Sequence, residues 1–276
     1  MKIAVIGICG NSIFLPVEHF HRPGETLTAL GCFEEVGGKG INQAIAAARM
    51  GAEVHFLAAV GDDGGSCIRQ IESAGVCGHF AHRAGEKTTF ACILTDARGE
   101  NRVTVYRGAE LTPADVADFA EQIRESQVLL LQNEVPEAVN EAAARIAKRH
   151  GVTVVLNPAP SRPISKALAT LVDVVTPNGQ EREALDGLQF PVCITTLGGE
   201  GCDVNGIHLP AFSVEAVDTT GAGDTFSGVL AVCLAEGMPL LEACRYASAA
   251  AALSVTKKGV LNAIPHKEEI ERMIRA

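Results

Sequence analysis

The chain has 276 residues, 47% of them hydrophobic and 20% charged. This excludes disorder as the dominant state and leaves enough chain for one large α/β domain. Lys and Arg total 23 against 33 Asp and Glu, a formal charge of −10 with only ten Phe, two Tyr and no Trp, so there is neither a basic face nor a stacking platform for nucleic acid, nor a basic face for an anionic membrane.

Strand and helix patterns alternate along most of the chain, the signature of a doubly wound, mostly parallel sheet flanked by helices. Residues 3–8 read as a buried first strand. The uncharged stretch 3–17 is broken by Gly7, Gly10, Asn11 and Pro16, so it reads as a strand running into a loop and not as a signal segment. Ile41, Ala44, Ile45 and Ala48 share one face of a helix ending near Met50 and Gly51; a strand at 54–60 and a helix at 66–74 follow. Thr112 and Pro113 open another helix with an N-cap and a proline at the first position, leading to a strand at 128–131. The helix 136–150 stops at Gly151, and strands are expected at 152–156, 172–175, 192–196 and 212–217. The last third is mostly helix, at 222–236, 240–255 and 266–275.

Two regions break this rhythm. Segments 88–96 and 102–107 flank the turn-like Ala97-Arg98-Gly99-Glu100 and read as a hairpin with one wet face. Segments 13–20 and 32–36 also have strand character, with no helix between them. The expectation is a single domain over 1–276 with a small sheet, built from about 12–36 and 88–107, standing off it as a lid; the alternative is an edge extension of the main sheet. The nine cysteines are scattered, odd in number and never spaced C-x-x-C, which suits reduced thiols in the cytoplasm better than disulfides or zinc. No apolar run reaches the length of a membrane span. His19, His21, His79 and His82 read as surface residues.

Four segments carry chemistry. Val36-Gly37-Gly38-Lys39-Gly40-Ile41-Asn42 places three glycines before a helix, with one cation and one amide at its start; backbone there can approach a ligand closely and aim N–H groups at it. It lacks Walker A spacing, and the first strand is not followed by G-x-G-x-x-G. Asp218-Thr219-Thr220-Gly221-Ala222-Gly223-Asp224 precedes an apolar helix. The amides of Gly221, Ala222 and Gly223 can converge on developing negative charge, and Asp224 in the first turn can take a proton from a substrate hydroxyl. Asn178-Gly179-Gln180-Glu181 is, as a bare pattern, a capping box. Thr196-Leu197-Gly198-Gly199-Glu200-Gly201 is a glycine turn of the kind found beside nucleotides.

In this order, and with Pro23-Gly24-Glu25-Thr26, Gly61-Asp62-Asp63, Asn157-Pro158-Ala159-Pro160 and Val255-Thr256-Lys257-Lys258-Gly259, the chain resembles the ribokinase (PfkB-type) family of sugar kinases over nearly its whole length. The resemblance implies the ribokinase-like fold and an ATP-dependent transfer of the γ-phosphoryl group to a primary hydroxyl of a ribose-like sugar. Asp224 would be the base and Gly221, Ala222 and Gly223 the anion hole. Gly38, Lys39, Asn42 and Glu134 would hold the sugar. Asn178 and Glu181 would orient Mg²⁺ and the phosphates, largely through water, while Thr196, Gly198, Gly201 and Ser248 would border ATP together with Asn178. Asp218, Thr220, Ser254 and Gly259 would match a loop for a monovalent cation, K⁺.

Three positions depart from the pattern. The family's Asn and Asp just after the first strand, which bond sugar hydroxyls, correspond to Gly10 and Ser12, so either Asn11, Ser12 or Glu18 substitutes or the substrate is another sugar or a nucleoside. The Ser that commonly closes the cation loop corresponds to Ala263. Only 182–190 separates Glu181 from the next strand, about one helix less than usual, which leaves one sheet face less covered. Exposed strand edges in the lid suit a homodimer. A non-catalytic sugar or nucleotide sensor on the same fold is the reading from another functional class.

Overall fold

The computed structural model describes residues 1–275. β1 (Lys2–Ile6), β2 (Gly10–Pro16) and β3 (Phe33–Gly37) precede α1 (Lys39–Arg49) and β4 (Glu53–Val60). Then come α2 (Gly65–Ser73), β5 (Cys77–His82), β6 (Phe90–Thr95) and β7 (Asn101–Tyr106). Thr112 and Asp115 close a capping box that starts α3 (Pro113–Asp118). It is followed by α4 (Ala120–Glu125), β8 (Val128–Gln132), α5 (Glu137–Arg149) and β9 (Thr153–Asn157). α6 (Lys166–Ala169), β10 (Val174–Val175), α7 (Gly179–Ala184) and β11 (Val192–Thr196) lead to the hairpin β12 (Cys202–Val204) and β13 (Ile207–Leu209). The chain ends in α8 (Ala222–Ala235), α9 (Leu240–Ser254) and α10 (Lys267–Arg275).

Nine strands form the main sheet in the order β13-β12-β11-β10-β9-β8-β1-β4-β5, parallel except for the edge hairpin β12/β13. β1 shows why it is central. Ile3 and Val5 enter the core under α1, α8 and α9, while Ala4 and Ile6 enter the core under α3 to α5. A strand apolar on both faces is stable only between two helical layers.

A second, four-stranded sheet has the order β3-β2-β6-β7, with β2 antiparallel to β3 and parallel to β6. Its register pairs Gly10 with Gly37, Ser12 with Glu35 and Phe14 with Phe33, and the two Phe rings stack at 4.7 Å.

Several elements differ from the sequence reading. Segment 212–217, expected as a strand, is extended chain without a sheet partner. β13 already forms the sheet edge, and Phe212 packs against the helical core instead, with the Arg245 guanidinium 5.7 Å above its ring. β12 and β13 were not expected, although Asn205 and Gly206, both at positive φ, are the pair that a two-residue hairpin turn demands. β5 was also missed, because its Cys-Gly-His-Phe-Ala-His sequence lacks β-branched residues. Among the described residues no helix is long and apolar enough to cross a membrane, and all nine cysteines are free.

Candidate active site

The strand order reverses between β1 and β8, and in an open parallel sheet such a point leaves a crevice beyond the carboxyl ends of the strands. The starts of α1 and α8 and the turns after β8 and β9 meet there. α8 can lie close to α1 because Gly228 has no side chain: a Cβ on it would stand 2.5 Å from the Gln43 carbonyl oxygen.

That approach sets Asp224, buried in the first turn of α8, against two consecutive amides of α1. Asn42 Nδ2 donates to Asp224 Oδ2 at 2.8 Å and Gln43 Nε2 donates to Oδ1 at 3.0 Å. The amides continue inward. Gln132 Nε2 donates to Gln43 Oε1 at 2.7 Å, Gln43 Nε2 also reaches Asn157 Oδ1 at 3.2 Å, and Asn157 Nδ2 donates to the Thr176 carbonyl at 3.0 Å. Gln43, Gln132 and Asn157 are buried; Asn157 opens a motif noted in the sequence, whereas Gln43 and Gln132 were not singled out there. The available signal was two amides inside the helix face that buries Ile41 and Ala44–Ala47. A carboxylate has about four acceptor sites, so two amide donors orient Asp224 and leave it able to accept a proton.

On the other side of the crevice Lys39 N–H donates to Glu134 Oε2 at 2.7 Å. Burial raises the Glu134 carboxyl to about 7, with Asp224 adding to the rise and the Lys39 and Arg107 charges opposing it. Asp224 in turn holds the Lys39 ammonium above its ordinary value against the effect of burial. Glu134 lines a small cavity of about 120 Å³ closed by Gly7, Val105 and Arg107. Asn42 Oδ1 is buried without a protein partner, an acceptor free for a ligand hydroxyl. Gly38 caps the start of α1, so the crevice brings together Gly38, Lys39, Asn42, Glu134 and Asp224.

Asn11 does not join them. Its Oδ1 accepts from Ser66 Oγ at 2.7 Å, and it lines a separate cavity of about 670 Å³ with Asp63 and Lys87. The reason is strand alternation, which turns Asn11 and Ser12 to opposite faces. Ser12 lies on the face that carries Val105, since Ser12 pairs with Ala91 and Ala91 with Val105. Gly10 cannot be exchanged for a larger residue on this backbone, because a Cβ would stand 2.7 Å from the Thr89 carbonyl oxygen. Glu18 is exposed beyond the end of β2.

Across Asp224 lies a cleft of about 460 Å³ whose walls include Thr196, Gly198, Gly201, Ala222, Gly223 and Ser248. Phe212 and Val214, from the segment expected as a strand, form an apolar wall of it. Asn178 reaches the rim through a bridge to Thr196. Gly221 enters α8 at φ 77° and a Cβ there would meet Val260 Cγ1 at 2.4 Å, so glycine is required twice over.

The capping box is real. Glu181 N–H donates to Asn178 Oδ1 at 2.8 Å and Asn178 N–H donates to Glu181 Oε2 at 2.9 Å. Glu181 keeps its other oxygen without a protein hydrogen bond, which fits a water-mediated contact with a divalent cation and not direct ligation by both side chains. In the neighbouring loop Asp218 accepts from Thr220 N–H at 3.0 Å and from Gly259 N–H at 3.1 Å. Burial pushes Asp218 up, but these N–H groups and Lys258 outweigh it and hold the carboxyl below its ordinary value. Ser254 spends its hydroxyl on the Ala251 carbonyl at 2.8 Å, and Ala263 is buried beside the loop.

The pfkB family carbohydrate kinase model matches residues 1–267. Ribokinase from Haemophilus influenzae is 37% identical, with 97% of this chain and 96% of that protein covered. The crystal structure of ribokinase from Thermotoga maritima superposes with a TM-score of 0.90 at 34% identity, covering 99% of each chain. Arabidopsis thaliana ribokinase complexed with ribose and ATP gives a TM-score of 0.88 at 27% identity over 100% of this chain and 99% of that one. A match of this extent, on a crevice with a buried carboxylate at a helix N-terminus, assigns the chain to the pfkB family of carbohydrate kinases.

Proposed function

We propose that this chain is an ATP-dependent kinase that transfers the γ-phosphoryl group to the primary hydroxyl of a ribose-like sugar. The observation that carries the reading is Asp224, a carboxylate buried at the N-terminus of α8 and fixed on both oxygens by Asn42 and Gln43. The primary hydroxyl donates to Asp224, which takes its proton as the oxygen attacks phosphorus. The amides of Gly221, Ala222 and Gly223 face the equatorial oxygens of the transferring group, and Lys39 supplies a positive charge on the sugar side. Gly38, Asn42 Oδ1 and Glu134 hold the remaining hydroxyls. Binding of an anion by an acidic chain is reasonable, because helix N-termini and glycine-turn amides present the positive ends of dipoles without net charge.

ATP occupies the cleft between Thr196, Gly198, Gly201 and Ser248, with its base against Phe212 and Val214. Glu181 and Asn178 would hold Mg²⁺ through water, and its charge would offset that of the polyphosphate. Asp218, Thr220 and the carbonyls around Ser254 and Gly259 form a seat for K⁺. The nucleoside and sensor alternatives are not favoured, since ribokinases match at 33% and 37% identity over nearly the whole chain. A cytoplasmic location suits free thiols and ATP supply, and the exposed Val103 and Tyr106 of β7 suit a homodimer formed through the small sheets. The test is phosphate transfer from ATP to a panel of ribose, 2-deoxyribose, other pentoses, hexoses and nucleosides, with Mg²⁺ and with K⁺ or Na⁺. Turnover of ribose or a close analogue supports the reading; no turnover of any sugar refutes it.

A further inference from the structure

The lid register isolates one carboxylate. Cross-strand partners share a face, so Ser12, Glu35, Ala91 and Val105 lie on the same face of the small sheet, the one that meets Glu134 through Val105. The strand residues of that face are otherwise small, apolar or uncharged, and Glu35 is their only charged member. Ser12 and Glu35 stand directly opposite each other in the ladder, on neighbouring strands spaced about 4.8 Å apart. A carboxylate at Glu35 therefore covers the region that an acidic residue at position 12 would cover.

The Glu35 side chain is partly buried, makes no hydrogen bond or ion pair with any described residue, and also borders the cavity of about 670 Å³ that Asn11 lines. Its Oε1 lies within 3.0 Å of where a Cβ on Gly259 would stand, beside Asp218. An acceptor held without donors next to a like charge is costly to the free protein, and two hydroxyl donors relieve that cost.

We infer that Glu35 is the carboxylate of the sugar site, accepting hydrogen bonds from neighbouring hydroxyls of the acceptor sugar in place of an acidic residue at Ser12. The inference rests on the sugar-kinase reading above and makes Glu35 a specificity-determining residue for the acceptor sugar. It gives Ser12 a supporting role, donating or accepting one bond beside the carboxylate.

The experiment compares Glu35→Gln and Glu35→Ala with the unaltered enzyme, using the sugar that the unaltered enzyme phosphorylates best. The expected result for Glu35→Ala is a KM for sugar raised at least about tenfold, the loss of a charge-assisted hydrogen bond. The KM for ATP stays within about threefold and Tm is unchanged or higher, because a ligand-facing acceptor is removed and not a structural contact. Glu35→Gln, which keeps one acceptor oxygen, falls between. An unchanged sugar KM in both variants overturns the assignment. So does an effect confined to the K⁺ dependence of turnover, which would move Glu35 to the cation loop. If the unaltered protein phosphorylates no sugar, the kinase reading fails first and the inference falls with it.

Discussion

Gln43 donates from Nε2 to Asp224 Oδ1 at 3.0 Å, and its own Oε1 is fixed by Gln132 Nε2 at 2.7 Å. Two buried side-chain amides, Gln43 and Gln132, thus link the base to the end of β8. Gln43 is a positioning residue. Gln43→Met should lower kcat by about tenfold or more with sugar and ATP KM values little changed, since orientation of the base matters most in the transition state. Steady-state kinetics at a temperature where circular dichroism shows the variant folded is the check. A wild-type kcat would remove the positioning role.

Removal of the base itself is the stronger intervention. Asp224→Ala should reduce kcat at least ~10²-fold while isothermal titration shows sugar binding largely kept. Near-normal turnover in this variant would sink the mechanism.

Two glycines of the anion hole should respond differently to the same substitution. Gly221→Ala forces a Cβ at φ 77° to within 2.4 Å of Val260, so the turn into α8 must shift. Both Tm and kcat should fall, and Val260→Ala should restore only part of the loss because the backbone strain remains. A Cβ on Gly223 meets no protein atom within 4 Å. Gly223→Ala should therefore keep its Tm yet raise the KM for ATP or lower kcat, as the methyl stands in the cleft. Thermal melts alongside kinetics separate the two cases.

Glu134 gives a pH signature. With its carboxyl raised from 4.5 to about 7 chiefly by burial, the folded chain keeps this proton between those values while the unfolded chain releases it. Stability conferred by the neutral form is therefore complete below about 4.5, is lost as pH rises toward 7, and levels off above. At about 1.4 kcal/mol per pH unit the loss is bounded at about 3 kcal/mol. Glu134→Gln carries no such proton, so its Tm should fall less than the unaltered protein's between pH 5 and pH 8. Parallel melting curves for the two proteins across that range would contradict the assignment.

The geometry at the start of α8 was legible in the chain because it is local. Gly221, Ala222, Gly223 and Asp224 are consecutive, and their geometry follows from the start of one helix. The same holds for the Asn178 and Glu181 box and for most helix ends, where Thr112, Pro113 and Gly151 act within one turn. What escaped was non-local. Whether Asn11 or Ser12 faces the sugar depends on pairing between β2 and β6, and a shift of one residue would invert every side chain. Glu35 was invisible for that reason, and Gln43 because its partners are 89 and 181 residues away. Segment 212–217 is apolar enough for a strand, but with the sheet edge taken by β13 it became a wall of the cleft beside Ser248.

The glycine pair Gly10 and Gly37 at the root of the small sheet has a consequence for how specificity can change. The chain leaves the main sheet for β2 just beyond β1 and returns from β3 to α1, so on the proposed reading the strand pair at Ser12 and Glu35 adds to an acceptor site whose other groups, Lys39, Asn42 and Glu134, belong to the main domain beside Asp224. If Glu35 reads the sugar as inferred, variation at positions 12 and 35 would retune acceptor choice with Asp224, its amides and the cleft beside Ser248 left as they are.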